Sequence, residues 1–128
     1  MNFLLDTHAL LWWLTADPRL SSVAKNAIED PDASRYISSV TPFEIATKVR
    51  IGKLDFAREI ADNFDSYVAA GAFKSLDVNT GHALLAGKMP GNHKDPFDRL
   101  LAAQCKAEKL SLITADPAFA EFGLDLVW

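Results

Sequence analysis

The chain has 128 residues, 49% of them apolar, and a formal charge of −4 at neutral pH. That size and composition suit one domain, residues 1–128, with a substantial core, and the acidic balance excludes a protein that coats nucleic acid by bulk electrostatics. No apolar run is long enough to span a bilayer and "MNFLLDTHALLWWL" lacks the basic leader and cleavage site of a secretory signal, so no membrane association and a cytoplasmic location are expected. Cys105 is the only cysteine, which excludes an internal disulfide and a thiolate zinc cluster; its alanine neighbours predict a packed thiol. Basic positions gather locally in "KVRIGK" (Lys48, Arg50, Lys53) and "KMPGNHK" (Lys88, His93, Lys94), each lysine read singly as solvated surface charge.

In chain order, "NFLL" (2–5) reads as a short buried strand that runs into "THALLWWLTAD", a helix ending before Pro18. "SSVAKNAIED" (21–30) is a second helix, capped by Ser21 or Ser22 and stopped by Pro31. "RYIS" (35–38) is a strand, followed by the helix "TPFEIATKVRIGK" with its end marked by Gly52. Residues 56–71 carry apolar side chains at helical spacing up to Gly71, "FKSLDV" (73–78) is a third strand, and "NTGHALLAGKM" another helix. "DPFDRLLAAQCKAEK" (95–109) is helical, "LSLIT" (110–114) a fourth strand, "PAFAEF" a short helix and "LDLVW" (124–128) a fifth strand. Short apolar strands alternating with helices predict an α/β/α sandwich around a parallel sheet of four to five strands.

In such sheets ligands bind beyond the carboxyl ends of the strands. Asp6 follows the first strand, Glu44 lies in the first turn after the second, Asp116 lies just past the fourth, and Asp98 is in the first turn of the helix that leads into it. Four acids from remote segments could converge on one sheet edge. Each also has a local explanation. Thr41-Pro42-Phe43-Glu44 matches a capping box with proline at the first helical position, Asp116 can cap the turn at Pro117, and Asp6 can cap the first helix. Asp6 fits a purely local role least well, because an acid between an apolar strand and "ALLWWL" should be partly buried, which is costly without a partner. Carboxylates brought together repel unless a cation lies between them, and oxygen ligands without cysteine favour Mg²⁺ or Mn²⁺. A hard ion held in this way can position and polarise a phosphodiester and activate water. His8, His82 and His93 show no metal-ligand spacing and are read as surface or cap residues.

Asp95 and Asp98 separate on physical grounds. Asp95 precedes Pro96, which suits the first helical position, so Asp95 is the N-cap, with its carboxylate accepting from Phe97 or Asp98 N–H. Asp98 heads the stripe Leu101, Ala102 and Cys105 and should lie near the sheet edge, with Asp95 close enough to join through water.

"LLDTHALLWWL", "SSVTPFEIATKVRIGKL", "HKDPFDRLLAAQ" and "LITADPAFAEFG" together resemble the PIN-domain family, and within it the VapC-type toxins of bacterial toxin–antitoxin modules. The match covers essentially the whole chain in order and spacing. It implies a small α/β/α endoribonuclease that uses Mg²⁺ or Mn²⁺, acts on RNA and is inhibited by a cognate VapB-type antitoxin. By position, the family's acidic quartet falls on Asp6, Glu44, Asp98 and Asp116, with Asp6 and Asp98 as direct ligands and Glu44 and Asp116 completing the pocket or binding through water. Thr114 or Thr7 would supply the family's hydroxyl near the site. The resemblance further implies a homodimer or a larger toxin–antitoxin assembly, and an antitoxin segment seated in a groove beside the site; Trp12, Trp13, Phe43 and Ile45 could form that groove or a dimer face, or belong to the core. Two other readings compete with it: a phosphatase using Asp6 as nucleophile, disfavoured by His8 where a second aspartate is usual, and a non-catalytic Mg²⁺-binding module.

Overall fold

In the computed structural model, which describes residues 1–128, five strands form one sheet. They are β1 (Asn2–Leu5), β2 (Ser34–Ser38), β3 (Lys74–Leu76), β4 (Ser111–Ile113) and β5 (Leu126–Val127), in the order β3-β2-β1-β4-β5 with every neighbouring pair parallel. Parallel neighbours need crossovers, and helices supply most of them: α1 (Thr7–Leu14) and α2 (Ser22–Glu29) between β1 and β2, α3 (Val40–Arg50), α4 (Arg58–Asp62) and α5 (Phe64–Ala70) before β3, α6 (Thr80–Lys88) and α7 (Pro96–Glu108) before β4. A 3₁₀ turn (Pro117–Phe122) leads to β5.

Alternation along the strands sorts the helices into two layers. Leu4 and Leu112 point into a core shared with Leu101, Ala102 and Cys105 of α7 and Ala86 of α6. Phe3, Leu5 and Ile113 point the other way, against Ala9 and Leu10 of α1, Ala24 and Ile28 of α2 and Val68 of α5. A smaller cluster, Leu11, Ile45, Val49, Ala57 and Ile60, fixes α3 and α4 at the side. The α/β/α sandwich with a parallel sheet is therefore the observed architecture. Cys105 is buried, and burial pushes its thiol up to about 12, so it is a packing residue.

Two local expectations fail, for identifiable reasons. The helix expected over 56–71 breaks at Asn63, which leaves helical geometry while its side-chain amide donates to the Glu59 carbonyl and carboxylate. The Glu59 carbonyl thus accepts from both the backbone N–H and the side-chain amide of Asn63. The capping box at Thr41 does not form either. Helix α3 already begins at Val40, whose N–H is taken by the Ser38 hydroxyl, and the buried Thr41 hydroxyl has no hydrogen-bond partner. Pro42 sits in the first turn, where its missing N–H costs nothing, and Glu44 lies beyond capping reach, its carboxylate free for other contacts.

Candidate functional site

The strand order reverses direction between β1 and β4, since the chain builds outward from β1 to β3 and then returns to β1's other side. The crevice beyond the carboxyl ends of these strands is where an open parallel sheet binds ligands. A cleft of about 170 Å³ lies there, lined by Asp6, Glu44, Asp98 and Asp116 together with Asp95, Thr7, His8 and Lys48. The four sequence-predicted acids, from segments as much as 110 positions apart, are thus brought together.

Each acid is held by a different device. Asp6 is 8% exposed; one carboxylate oxygen caps α1 by accepting from Ala9 N–H at 2.8 Å, and the other accepts from the Thr114 hydroxyl at 2.5 Å. It makes no salt bridge, and burial raises its pKa against the pull of those hydrogen bonds. The cap role and the site role therefore coincide. Thr114 also accepts from the Asp116 N–H at 3.0 Å, so one hydroxyl ties two of the acids together. Asp116 itself caps the 3₁₀ turn through Ala118 N–H at 2.9 Å. Glu44, buried on α3, accepts from the Thr7 hydroxyl at 2.6 Å and pairs with Lys48 one turn later at 2.5 Å.

Asp98 begins α7 as expected. Asp95 is the N-cap, accepting from Phe97 N–H at 2.9 Å and Asp98 N–H at 3.2 Å, and its carboxylate faces solvent. Asp98 is half-buried, and desolvation raises its pKa to about 6, opposed by a hydrogen bond from His93 and reinforced by the charges of Asp95 and Glu44. Asp95→Ala is expected to cost about 1 kcal/mol of stability, the usual loss for an N-cap, while Mn²⁺ affinity stays near wild type. Denaturant melts and a Mn²⁺ titration check the two halves separately.

The residue that the sequence reading passed over is His93. Its ring is 12% exposed, with Nε2 2.8 Å from the Asp98 carboxylate, rather than a surface or cap group. Only the adjacency of His93 to the acidic pair in "HKDPFDRLL" could have signalled this. His82, by contrast, does cap: it completes a capping box with Asn79 and bonds Glu108. His8 is exposed and leans on Trp12. Both threonines considered for a hydroxyl role touch site acids.

The candidate groove residues divide. Ile45 is fully buried and belongs to the core, so it forms no surface. Phe43 is 64% exposed, its ring edge-on to Phe97 at 5.6 Å. Trp12 and Trp13 line a larger hollow of about 430 Å³ with Ala16, Pro18 and Leu20, at the far end of the helix that Asp6 starts.

The donor chemistry of the cleft fits a hard divalent cation. Five carboxylates share the cleft with one lysine, their ligand atoms are all oxygen, and the buried Asp6 makes no salt bridge. No three of them are already gathered as a coordination shell. Their oxygens are held instead by Thr7, Lys48, His93, Thr114 and backbone N–H groups.

Comparison with solved structures finds the same fold. VapBC2 from Rickettsia felis, solved bound to a DNA fragment from its promoter, is 19% identical with a TM-score of 0.69, over 98% of this chain and 97% of that one. FitAcB from Neisseria gonorrhoeae is 20% identical with a TM-score of 0.63, over 97% and 95%. VapBC-5 of Mycobacterium tuberculosis, a member of the VapBC family of toxin–antitoxin systems, is 19% identical with a TM-score of 0.57, over 93% and 88%. A search of curated proteins by sequence finds no match. The sequence model of the PIN domain matches residues 3–124, nearly the whole chain and every acid that lines the cleft, and the chain belongs to the PIN-domain family.

Proposed function

We propose that this chain is a metal-dependent endoribonuclease, the toxin of a VapBC-type toxin–antitoxin module, with its site at Asp6, Glu44, Asp98 and Asp116. The observation that carries the proposal is the buried Asp6 carboxylate, without a salt bridge, at the β1/β4 crevice where Glu44, Asp98, Asp116 and the capping Asp95 line the same cleft. A carboxylate so placed is costly unless a cation completes it. Asp6 and Asp98 would hold a Mg²⁺ or Mn²⁺ directly, with Glu44 and Asp116 completing the site or binding through water. Such an ion, when bound, supplies charge for the scissile phosphate and lowers the pKa of water.

The chain's own residues set the rest. Thr114 and the α1 N-terminus fix both oxygens of Asp6, and Thr7 fixes Glu44. Lys48 places an ammonium in the cleft, where it can meet a phosphate oxygen without a globally basic surface. The same reading takes residues 1–128 as one domain that works in the cytoplasm as a homodimer or within a larger toxin–antitoxin assembly; no helix is long and apolar enough to cross a membrane. The Trp12–Trp13 hollow, which joins two tryptophans to the charged Asp17, Lys25 and Glu29, suits a segment of the antitoxin. The structures similar to this one include a toxin–antitoxin family member, which supports the choice of partner.

Purified protein freed of any partner tests the activity. Single-stranded RNA is expected to be cut with Mg²⁺ or Mn²⁺, left intact with chelator, and left intact by Asp6→Asn; expression of that variant should no longer arrest growth. A phosphoenzyme on Asp6 with no RNA cleavage would instead establish an aspartate-dependent phosphatase, and metal binding without turnover in folded protein a non-catalytic module.

A further inference from the structure

We propose that His93 is a positioning residue for Asp98: it fixes the carboxylate in the orientation that receives the metal. This rests on the metal-site reading above and adds a residue to it.

The imidazole is itself immobilised from several directions. Its ring stacks on Phe119 at 6.0 Å between centroids and tilts against Phe122 at 5.4 Å. The His93 carbonyl accepts from Arg99 Nη1 at 2.9 Å, and the same guanidinium donates to the carbonyls of Ala86 and Met89, which clamps the loop onto α6 and α7. Asn92 N–H donates to the Glu121 carboxylate at 2.5 Å, which ties the residue before His93 to the 3₁₀ turn. Gly91 allows that approach: its φ is +119°, and a side chain there would run into the Glu121 carboxylate. The loop therefore delivers a ring with few alternative positions.

An ionised carboxylate only accepts, so Nε2 carries the proton that it donates to Asp98. A neutral ring suffices for this. Asp98 Oδ2 is thus engaged by His93, which leaves Oδ1 of this cleft-lining residue without a hydrogen bond from the protein. Without the donor, Asp98 would be tethered only by its own rotamer, at a helix N-terminus partly open to solvent. Hydrogen-bond partners of metal-binding carboxylates typically contribute ten- to a hundred-fold in metal affinity.

The test is a titration of chelator-stripped protein with Mn²⁺ alone, without RNA, on wild type, His93→Phe, His93→Gln and Asp98→Asn, each with a thermal melt. Phenylalanine keeps a ring against Phe119 and Phe122 and removes the donor; glutamine restores an N–H near the place of Nε2. Mn²⁺ affinity is expected to fall about ten- to a hundred-fold in His93→Phe with melting little changed, and to recover to within about threefold of wild type in His93→Gln. Undiminished affinity in His93→Phe, while Asp98→Asn binds weakly, overturns the role of His93 and leaves the metal site standing. Equal losses in His93→Phe and His93→Gln also overturn it, since the donor would then not be the cause. Undiminished affinity in Asp98→Asn removes the metal-site reading and this inference with it.

Discussion

Asp98→Asn is expected to reduce metal-dependent RNA cleavage by about a hundred-fold or more while raising the melting temperature of the metal-free protein by a few degrees. The two effects have one cause. Asparagine has nearly the shape of aspartate, and its carbonyl can still accept from His93, so the cleft keeps its form. What disappears is a negative charge that burial disfavours: desolvation holds the Asp98 pKa at about 6, above the ordinary value of 3.8. At neutral pH the ionised side chain is less comfortable in the folded protein than in the unfolded chain, so removing its charge stabilises the fold. The gain is on the order of 1 kcal/mol, once the solvent reaching this half-buried group is allowed for. Cleavage rates and metal-free melts on the same preparations check both halves, and a loss of activity accompanied by a loss of stability would point to simple misfolding instead.

Lowering the pH from 7 to 5 is expected to weaken Mn²⁺ binding and RNA cleavage, and at the same time to stabilise the metal-free protein. A metal must compete with the proton on Asp98, whose pKa is about 6, and on Asp6, which burial raises as well. Below pH 6 the affinity should fall roughly tenfold per unit for one competing proton, more steeply where both acids bind one. For stability the sign is opposite. Both acids hold their protons more tightly when folded, so the folded state binds more protons between the ordinary carboxylate value and the raised one, and stability falls as pH rises through that window. The Asp98 share of that pH dependence should vanish in Asp98→Asn. Thermal melts across the range, with and without Mn²⁺, give both slopes.

Much of this was legible from residue order alone. The strand–helix alternation specified the sandwich, and the positions just past "NFLL" and "LSLIT" specified which acids reach the crevice, because strand ends in a parallel sheet face one edge. Asp95 was readable as a cap from Pro96, since proline favours the first helical position. The failures have a common character. Thr41 and Glu44 satisfy a capping-box pattern, but the hydroxyl of Ser38 reaches the helix first, a competition decided by how β2 enters α3. Asn63 interrupts an apolar period that sequence alone would extend through it. His93 looks like surface charge until Phe119 and Phe122, more than 20 positions later, close around its ring. For Ile45, left open between groove and core, the choice falls to the core because its neighbours Leu11 and Ile60 come from other segments.

The most direct test of the central claim is a Mn²⁺ titration of chelator-stripped protein in which bound ion, by electron paramagnetic resonance, and cleaved RNA are read from the same samples. If the acid cleft is the catalytic metal site, binding and cleavage saturate together in the wild type and are both lost in Asp6→Asn. Cleavage that proceeds without bound Mn²⁺, or binding undiminished in Asp6→Asn, would contradict the account.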